Sequence, residues 1–222
     1  MHNTEESFFG KHRFFFLFVF LLATLILYPF AEGSRLGLFI FRAIGGFAII
    51  VSIYAAKSHR FLLVFILLLA IPAIFHRMLL SKSDVSLLFI LSNILSLVFD
   101  VLIVVILFRR IFQVGRPNSE TIFGALCLYL LMGFSFSSVY GMVAALQPKA
   151  FFMDPQFNVH STLTRFDCIY YSFGTITSLG TAGIVPVTAQ ARSVSILEAV
   201  LGILYLAVLI ARLMGAYRPK AD

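Results

Sequence analysis

The stretch that decides the fold covers residues 166–188 and reads FDCIYYSFGTITSLGTAGIVPVT. Its first twelve residues, 166–177, have helical character, and a glycine-rich run follows from Ser178 to Gly183, before Pro186. Non-helical backbone at membrane depth must line water or lie buried in protein, which suits a loop that enters the membrane and returns. Such a loop can point successive backbone carbonyls at one axis, as an ion filter requires.

The whole chain has the composition of a polytopic membrane protein. Of its 222 residues, 60% are hydrophobic and 12% are charged, and the mean hydropathy is +0.99. Soluble domains average about 45–50% apolar and about 25% charged residues, so this composition argues against a soluble enzyme. The net charge of +7 indicates basic loops facing the cytoplasm rather than a nucleic-acid partner.

Six apolar segments approach the length of about 20 residues that crosses a bilayer. They cover residues 14–30, 36–56, 61–75 (with an extension to 80), 85–108, 121–146 and 194–214. Of the 17 Lys and Arg residues, ten fall on the side of the N-terminus, six on the other side and one, Arg42, within a span. We therefore expect an all-α membrane protein with six transmembrane helices, both termini in the cytoplasm, and a re-entrant helix and loop between the fifth and sixth spans.

The re-entrant stretch resembles the pore loop of tetrameric potassium channels, whose filter reads TVGYGD. Aligned without gaps, the ion-binding filter positions are Ser178, Leu179, Gly180, Thr181, Ala182 and Gly183. The aromatic pair and the threonines of that family's pore helix are matched by Tyr170, Tyr171, Thr175 and Thr177. Residues 186–188 match the common P-V-T, and the last span resembles the inner helix of bacterial members, with Gly202 at the hinge glycine. The resemblance covers residues 119–215.

This resemblance implies the pore-forming subunit of a homotetrameric cation channel, because each chain supplies one pore module and four modules close an axis. It implies a four-helix, sensor-like bundle over residues 1–112 and an ion-channel pore domain over residues 113–222. The expected location is the bacterial inner membrane, with lipid and three further copies of the chain as partners. The permeant ions would be monovalent cations, potassium or sodium, and no other cofactor is implied.

Three of the filter's differences from the family pattern remove a feature that the family uses. Ala182 replaces a glycine, and a left-handed backbone there would cost alanine about 1–2 kcal/mol. Thr181 replaces the tyrosine whose ring braces the filter, and Gly183 removes the acid at the outer mouth. We expect the part from Ser178 to Leu179 to coordinate a cation, and the rest to be splayed, flipped or collapsed. A non-selective cation channel and a non-conducting scaffold or regulatory protein therefore stay open as alternatives.

Charged residues within the predicted spans are few. The fourth span has Asp100, and then only Arg109 and Arg110 at its inner end, instead of the arginine at every third position of a voltage sensor. Strong voltage gating is therefore not expected. The five histidines have no metal-ligand spacing, and no nucleophile or paired-carboxylate motif indicates an enzyme.

Three carboxylates near the pore loop are candidates for a role in conduction. Glu198 lies one turn before Gly202 on the last span. It is either a pore-side acid, one of a ring of four, or a hydrogen-bond partner of the pore helix in its own or a neighbouring subunit. Asp154 and Asp167 are the acids that could concentrate cations at the outer mouth.

Overall fold

The computed structural model describes residues 13–31, 87–113, 118–158 and 161–216. Within these ranges the chain forms five helices and two short strands. In chain order they are α1 (Arg13–Ala31), α2 (Leu87–Gln113), α3 (Ser119–Leu146), β1 (Phe151–Met153), α4 (Arg165–Ile176), β2 (Ile184–Pro186) and α5 (Ala189–Ala216). The predicted spans at 36–56 and 61–75 lie outside the described residues.

The described helices coincide with four predicted spans and with the predicted re-entrant helix. Two of them, over Ser119–Leu146 and Ala189–Gly215, are long and apolar enough to cross a membrane, and α1 contains a shorter apolar stretch, Phe14–Leu27. The described part of the chain is therefore mostly helical, with two membrane-capable helices that flank the short helix α4. This arrangement is consistent with an all-α membrane channel.

The chain divides into two compact units, and the first comprises residues 1–79 and 99–130. In this unit the Phe15 and Phe123 rings meet edge-on, with centroids 5.1 Å apart. The Cys127 thiol donates to the carbonyl of Phe14 over 3.3 Å. These contacts bring the first turns of α1 next to the first turns of α3.

The second unit comprises residues 80–98 and 131–222. Its core contains three aromatic rings, Tyr140, Phe151 and Tyr171, whose centroids are 4.8–5.8 Å apart in edge-to-face pairs. Such pairs contribute about 0.5–1.5 kcal/mol beyond the area they bury. Because the three rings come from α3, β1 and α4, this core fixes the re-entrant helix against the helix that precedes it.

The two strands form an antiparallel pair in which Phe152 is opposite Val185. The carbonyl of Ala150 also accepts hydrogen bonds from the backbone amides of Val187, over 2.8 Å, and Thr188, over 3.4 Å. The sheet therefore joins the C-terminal end of α3 to the N-terminal end of α5. Three-residue strands were not among the predicted elements, and they are the one β structure that the described residues add to the all-α expectation.

Candidate functional site

The re-entrant helix α4 begins at a capping box. The Thr164 hydroxyl accepts from the Asp167 amide over 3.2 Å, and the Asp167 carboxylate accepts from the Thr164 amide over 2.7 Å. A carboxylate in the first turn also interacts favourably with the helix dipole. Asp167, one of the two acids expected to attract cations, thus belongs to the helix cap. The other, Asp154, accepts from the backbone amide of Gln156 over 2.9 Å.

The middle of α4 is held by the carboxylate of Glu198, which comes from α5 and is 0% exposed. The Tyr140 hydroxyl, from α3, donates to Oε2 over 2.5 Å, and Ser172 Oγ, from α4, lies 2.5 Å from Oε1. Ser172 Oγ also lies 2.7 Å from the carbonyl oxygen of Gly133. This arrangement corresponds to the hydrogen-bonded alternative for Glu198 within its own subunit, rather than to an acid facing a pore.

Two glycines allow the neighbouring helices to approach α4 closely. A Cβ added to Gly133 of α3 would lie 2.8 Å from the Phe173 ring. A Cβ added to Gly202 of α5 would lie 2.6 Å from Ile176 Cγ1 and 2.7 Å from the Ile176 carbonyl oxygen. Gly202, the predicted hinge, therefore packs against the last turn of α4, and this contact is sufficient reason for a glycine there.

The predicted pore-helix residues divide between the core and the surface. The Tyr171 hydroxyl lies 2.8 Å from Ser195 Oγ of α5, whereas Tyr170 is exposed. The Thr175 and Thr177 hydroxyls donate to carbonyls one turn earlier in α4, over 2.8 Å and 2.5 Å. Both threonine hydroxyls thus bond to the backbone of their own helix.

The filter loop follows α4 directly and reverses the chain through three left-handed residues. These are Ser178, with φ 58°, Gly180, with φ 91°, and Gly183, with φ 82°. Ser178 is the single non-glycine residue with positive φ in the described part of the chain. Ala182 does not have a positive φ, so the expected strain at this alanine is wrong for this conformation, and the cost of about 1–2 kcal/mol falls on Ser178 instead.

The carbonyls in the middle of the loop turn toward the protein. The Gly180 amide donates to the Gly174 carbonyl over 3.1 Å, and the Gly180 oxygen lies 2.7 Å from the place that a Gly174 Cβ would occupy. The Thr181 carbonyl accepts from the Ile184 amide over 3.3 Å, and the Thr181 hydroxyl donates to the Ile184 carbonyl over 3.0 Å. The exposed end of the loop is Leu179, which is 81% exposed.

The loop ends against residues 154–158, of which the sequence analysis singled out only Asp154, as an acid that could attract cations. The Gly183 carbonyl accepts from the Asp154 amide and from Asn158 Nδ2, both over 2.8 Å. A Cβ at Gly183 would lie 2.7 Å from Phe157 Cβ and 2.8 Å from Asn158 Nδ2. Asn158 thus braces the end of the filter loop. No sequence motif predicts this role of Asn158, because an asparagine shortly after a proline is common in turns.

Metal ligands are not grouped in the part of the chain that the structure describes. No cluster of three or more His, Cys, Asp or Glu side chains there could hold a metal ion. Burial, with the negative charge of Asp167 nearby, raises the pKa of the Cys168 thiol to about 12, so this cysteine remains a protonated core residue.

The capped short helix and the glycine-rich reversal thus lie between two apolar helices, in the order that the resemblance to potassium-channel pore loops implies. A family model described as an ion channel matches residues 124–218, from α3 to just beyond α5. This match supports the predicted membership of the potassium channel superfamily: residues 124–218 carry an ion-channel domain. The matched segment is less than half of the chain. Comparisons with curated proteins and with solved structures found no match.

Proposed function

We propose that the chain is the pore-forming subunit of a homotetrameric cation channel that discriminates only weakly between potassium and sodium. The observation that carries this proposal is the orientation of the filter carbonyls. Those of Gly180 and Thr181 face the protein, so the groups left for a dehydrated cation are the Ser178 hydroxyl and the carbonyls of Ser178 and Leu179. Selectivity in the family is attributed to a row of consecutive carbonyl sites, and a shortened row weakens it.

The tetramer is supported by the surface of α5. In the most apolar stretch of α5, 17% of the residues are buried by the rest of the chain. In the most apolar stretch of α3 the buried share is 39%. Large apolar side chains are exposed on several sides of α5, among them Ile196, Leu197, Val200, Ile203 and Leu204. Few residues of α5 are buried by its own chain. This favours a position in which one side of the helix packs against neighbouring subunits and the other side contacts lipid.

The six-span topology is supported by the first unit of the chain. Because the first turns of α1 and α3 lie together, both helices start on the same side of the membrane. The first and fifth spans of a six-span protein must do so. With the lysine and arginine distribution, this favours both termini in the cytoplasm, a sensor-like bundle over residues 1–112 and a pore domain over residues 113–222. A bacterial inner membrane is the proposed location.

Gating by voltage is not part of the proposal. The described fourth span, α2, has Asp100 in its middle and arginines only at positions 109 and 110. Moving one charge across the membrane contributes about 2.3 kcal/mol per 100 mV, so a span without a ladder of arginines responds weakly.

The decisive experiment is flux through the purified tetramer in liposomes, with potassium and sodium gradients measured separately. We expect both ions to pass, with a preference below about tenfold, which corresponds to about 1.4 kcal/mol. Ser178→Ala should lower both fluxes, because it removes a coordinating hydroxyl, whereas Ser161→Ala, at an exposed serine before α4, should not.

Three other results would change the proposal. A potassium preference far above tenfold would contradict weak selectivity. An intact tetramer without flux would favour the second candidate, a non-conducting scaffold or regulatory protein, which the inward-facing carbonyls also suit. A monomer or dimer as the largest stable species would contradict the homotetrameric channel.

A further inference from the structure

The contacts around Glu198 need more hydrogens than the Tyr140 and Ser172 hydroxyls can supply. Ser172 Oγ lies within bonding distance of two oxygens, the Gly133 carbonyl at 2.7 Å and Glu198 Oε1 at 2.5 Å. A serine hydroxyl has one hydrogen, and a carbonyl oxygen has none to give. Ser172 can therefore donate to one of these oxygens but not to both.

The two assignments differ in the charge of Glu198. If Ser172 donates to Glu198, its oxygen and the Gly133 carbonyl oxygen face each other at 2.7 Å with no hydrogen between them. If Ser172 donates to Gly133, the hydrogen between Ser172 and Glu198 must belong to Glu198. The Tyr140 hydroxyl already supplies the hydrogen to Oε2. A neutral, protonated Glu198 is the state that gives every contact one hydrogen.

The surroundings of Glu198 agree with the neutral state. Among the described residues, the groups that interact with it are the Tyr140 hydroxyl from α3 and, from α4, the hydroxyls of Tyr171 and Ser172. Ser195, on the same helix as Glu198, bonds to the Tyr171 hydroxyl. None of these is a cation. Removing an ionised carboxylate from water without a partner cation costs several kcal/mol, and more so within a membrane.

We propose that Glu198 is a proton-binding site, which holds one proton per subunit at neutral pH and donates it to Ser172. In this state α5 is bonded to α4 through the Glu198 proton, and α4 is bonded to α3 through the Ser172 hydrogen. When hydroxide removes the proton as water, Ser172 must turn its hydrogen from Gly133 to the carboxylate. The bond between α4 and α3 is then lost, so the position of the re-entrant helix depends on pH.

The first test is infrared difference spectroscopy of the full chain in detergent, comparing wild type with Glu198→Gln. The glutamine amide can donate to Ser172 and accept from Tyr140, so it reproduces the hydrogen bonds of the protonated acid. At pH 7 we expect a carboxylic-acid C=O band in wild type that is absent from Glu198→Gln and disappears at alkaline pH. Carboxylate bands alone in this difference spectrum at pH 7 would overturn the proposal.

The second test is the pH dependence of thermal unfolding. An unfolded glutamate loses its proton near pH 4.3, so above that pH the native protein binds one proton more than the unfolded chain. Stability then falls as the pH rises, by about 1.4 kcal/mol per pH unit, until the native state also loses the proton. We expect wild type to lose stability relative to Glu198→Gln over this range. A difference that is constant or rises with pH would contradict a native proton.

Two serine variants separate the proton site from general packing effects. Ser172→Ala removes the acceptor of the proton and should shift or abolish the carboxylic-acid band. Ser138→Ala, which removes a hydroxyl bonded to the Phe134 carbonyl of its own helix, should leave the band unchanged. An unshifted band in Ser172→Ala would overturn the assigned donor and acceptor. All of these measurements are independent of ion flux, so they stand or fall separately from the proposed channel activity.

Discussion

The re-entrant helix α4 and the loop that follows it are held in different ways. The helix is fixed at its start by the Thr164 cap, in its middle by the buried Glu198 and at its end by the close approach of Gly202. The loop is held by turns of its own backbone and by Asn158, and Leu179 projects from it with 81% of its surface exposed. The helix is thus fixed by contacts at its start, middle and end, whereas the residues that differ from the potassium-channel motif in the sequence comparison lie in the loop.

Two of the residues that differ from the family motif, Thr181 and Gly183, pack closely against their neighbours. Thr181 has its methyl group against Gly174, where a Cβ would lie 2.8 Å from Thr181 Cγ2. Gly183 leaves the space that Phe157 and Asn158 occupy. A Cβ at position 174 would collide with Thr181, and the Cβ of an aspartate at position 183 would collide with Phe157 and Asn158. The residues of the loop are therefore matched to their neighbours in a conformation of their own.

The largest loss of stability is expected from Gly202→Ala, which disturbs the packing of α5 against α4. The new Cβ would lie 2.7 Å from a backbone oxygen of α4, which has little freedom to move. We expect a loss of about 1–3 kcal/mol in the free energy of unfolding, the range for overpacked cores. Thermal unfolding of the purified protein measures it.

Gly215→Ala is the matched control for that variant. It lies in the same helix, and nothing approaches within 4 Å of its added Cβ. The higher helix propensity of alanine should leave the protein unchanged or stabilise it by up to about 1 kcal/mol. Equal free energies of unfolding of the two variants would show that the end of α4 is not tightly packed. The helix would then not be held more firmly than the loop at that point.

A smaller effect is expected from Thr164→Ala, which removes the cap of α4. Loss of an N-cap hydroxyl costs typically about 1 kcal/mol. Hydrogen exchange should become faster at the amides of the first turn of α4, including that of Asp167, which loses its acceptor. Ser161→Ala, at an exposed serine three residues earlier, serves as the control. If both alanine variants speed exchange equally, the cap does not hold the helix.

The smallest effect on stability is expected from Thr181→Val, which alters the loop alone. Valine keeps the methyl group near Gly174 but removes the hydroxyl that donates to the Ile184 carbonyl. We expect a loss below about 1 kcal/mol, because a single hydrogen bond has a modest net contribution. Ion flux should nevertheless change, since the loop carries the proposed filter. Unfolding at a temperature as low as that of Gly202→Ala would contradict the distinction between helix and loop.

Local patterns in the sequence were sufficient to predict the helices in the part of the chain that the structure describes. The expected re-entrant helix at residues 166–177 is found at Arg165–Ile176, because a glycine-rich run ends it and an apolar, aromatic face precedes that run. Long apolar segments similarly predicted α3 and α5 to within five residues at each end. The strands could not be predicted, since three residues are too few for an alternating pattern to be recognised.

Partners across the fold could not be predicted in the same way. Glu198 stood out as an acid in an apolar span, but Tyr140 and Ser172, which bond to it, are 58 and 26 residues away in the chain. Ser172 and Gly133 are unremarkable in sequence, and their importance depends on the packing of α3 against α4. The left-handed residue of the loop could not be predicted for a related reason: whether Ala182 or another residue becomes left-handed depends on the turn that closes around Gly174, not on the motif alone.

The small sheet has a mechanical consequence for the last helix. By joining β2 to β1, it fixes the start of α5 beside the filter loop, and Glu198 and Gly202 hold the next turns of α5 against α4. From Gly202 to the end of α5 at Ala216 there are 14 further residues. At 1.5 Å per residue that is about 21 Å, so a bend of about 10° at Gly202 carries the end of the helix through about 4 Å. The filter loop lies beside the fixed start of α5, so the far end of this helix can move without displacing the loop.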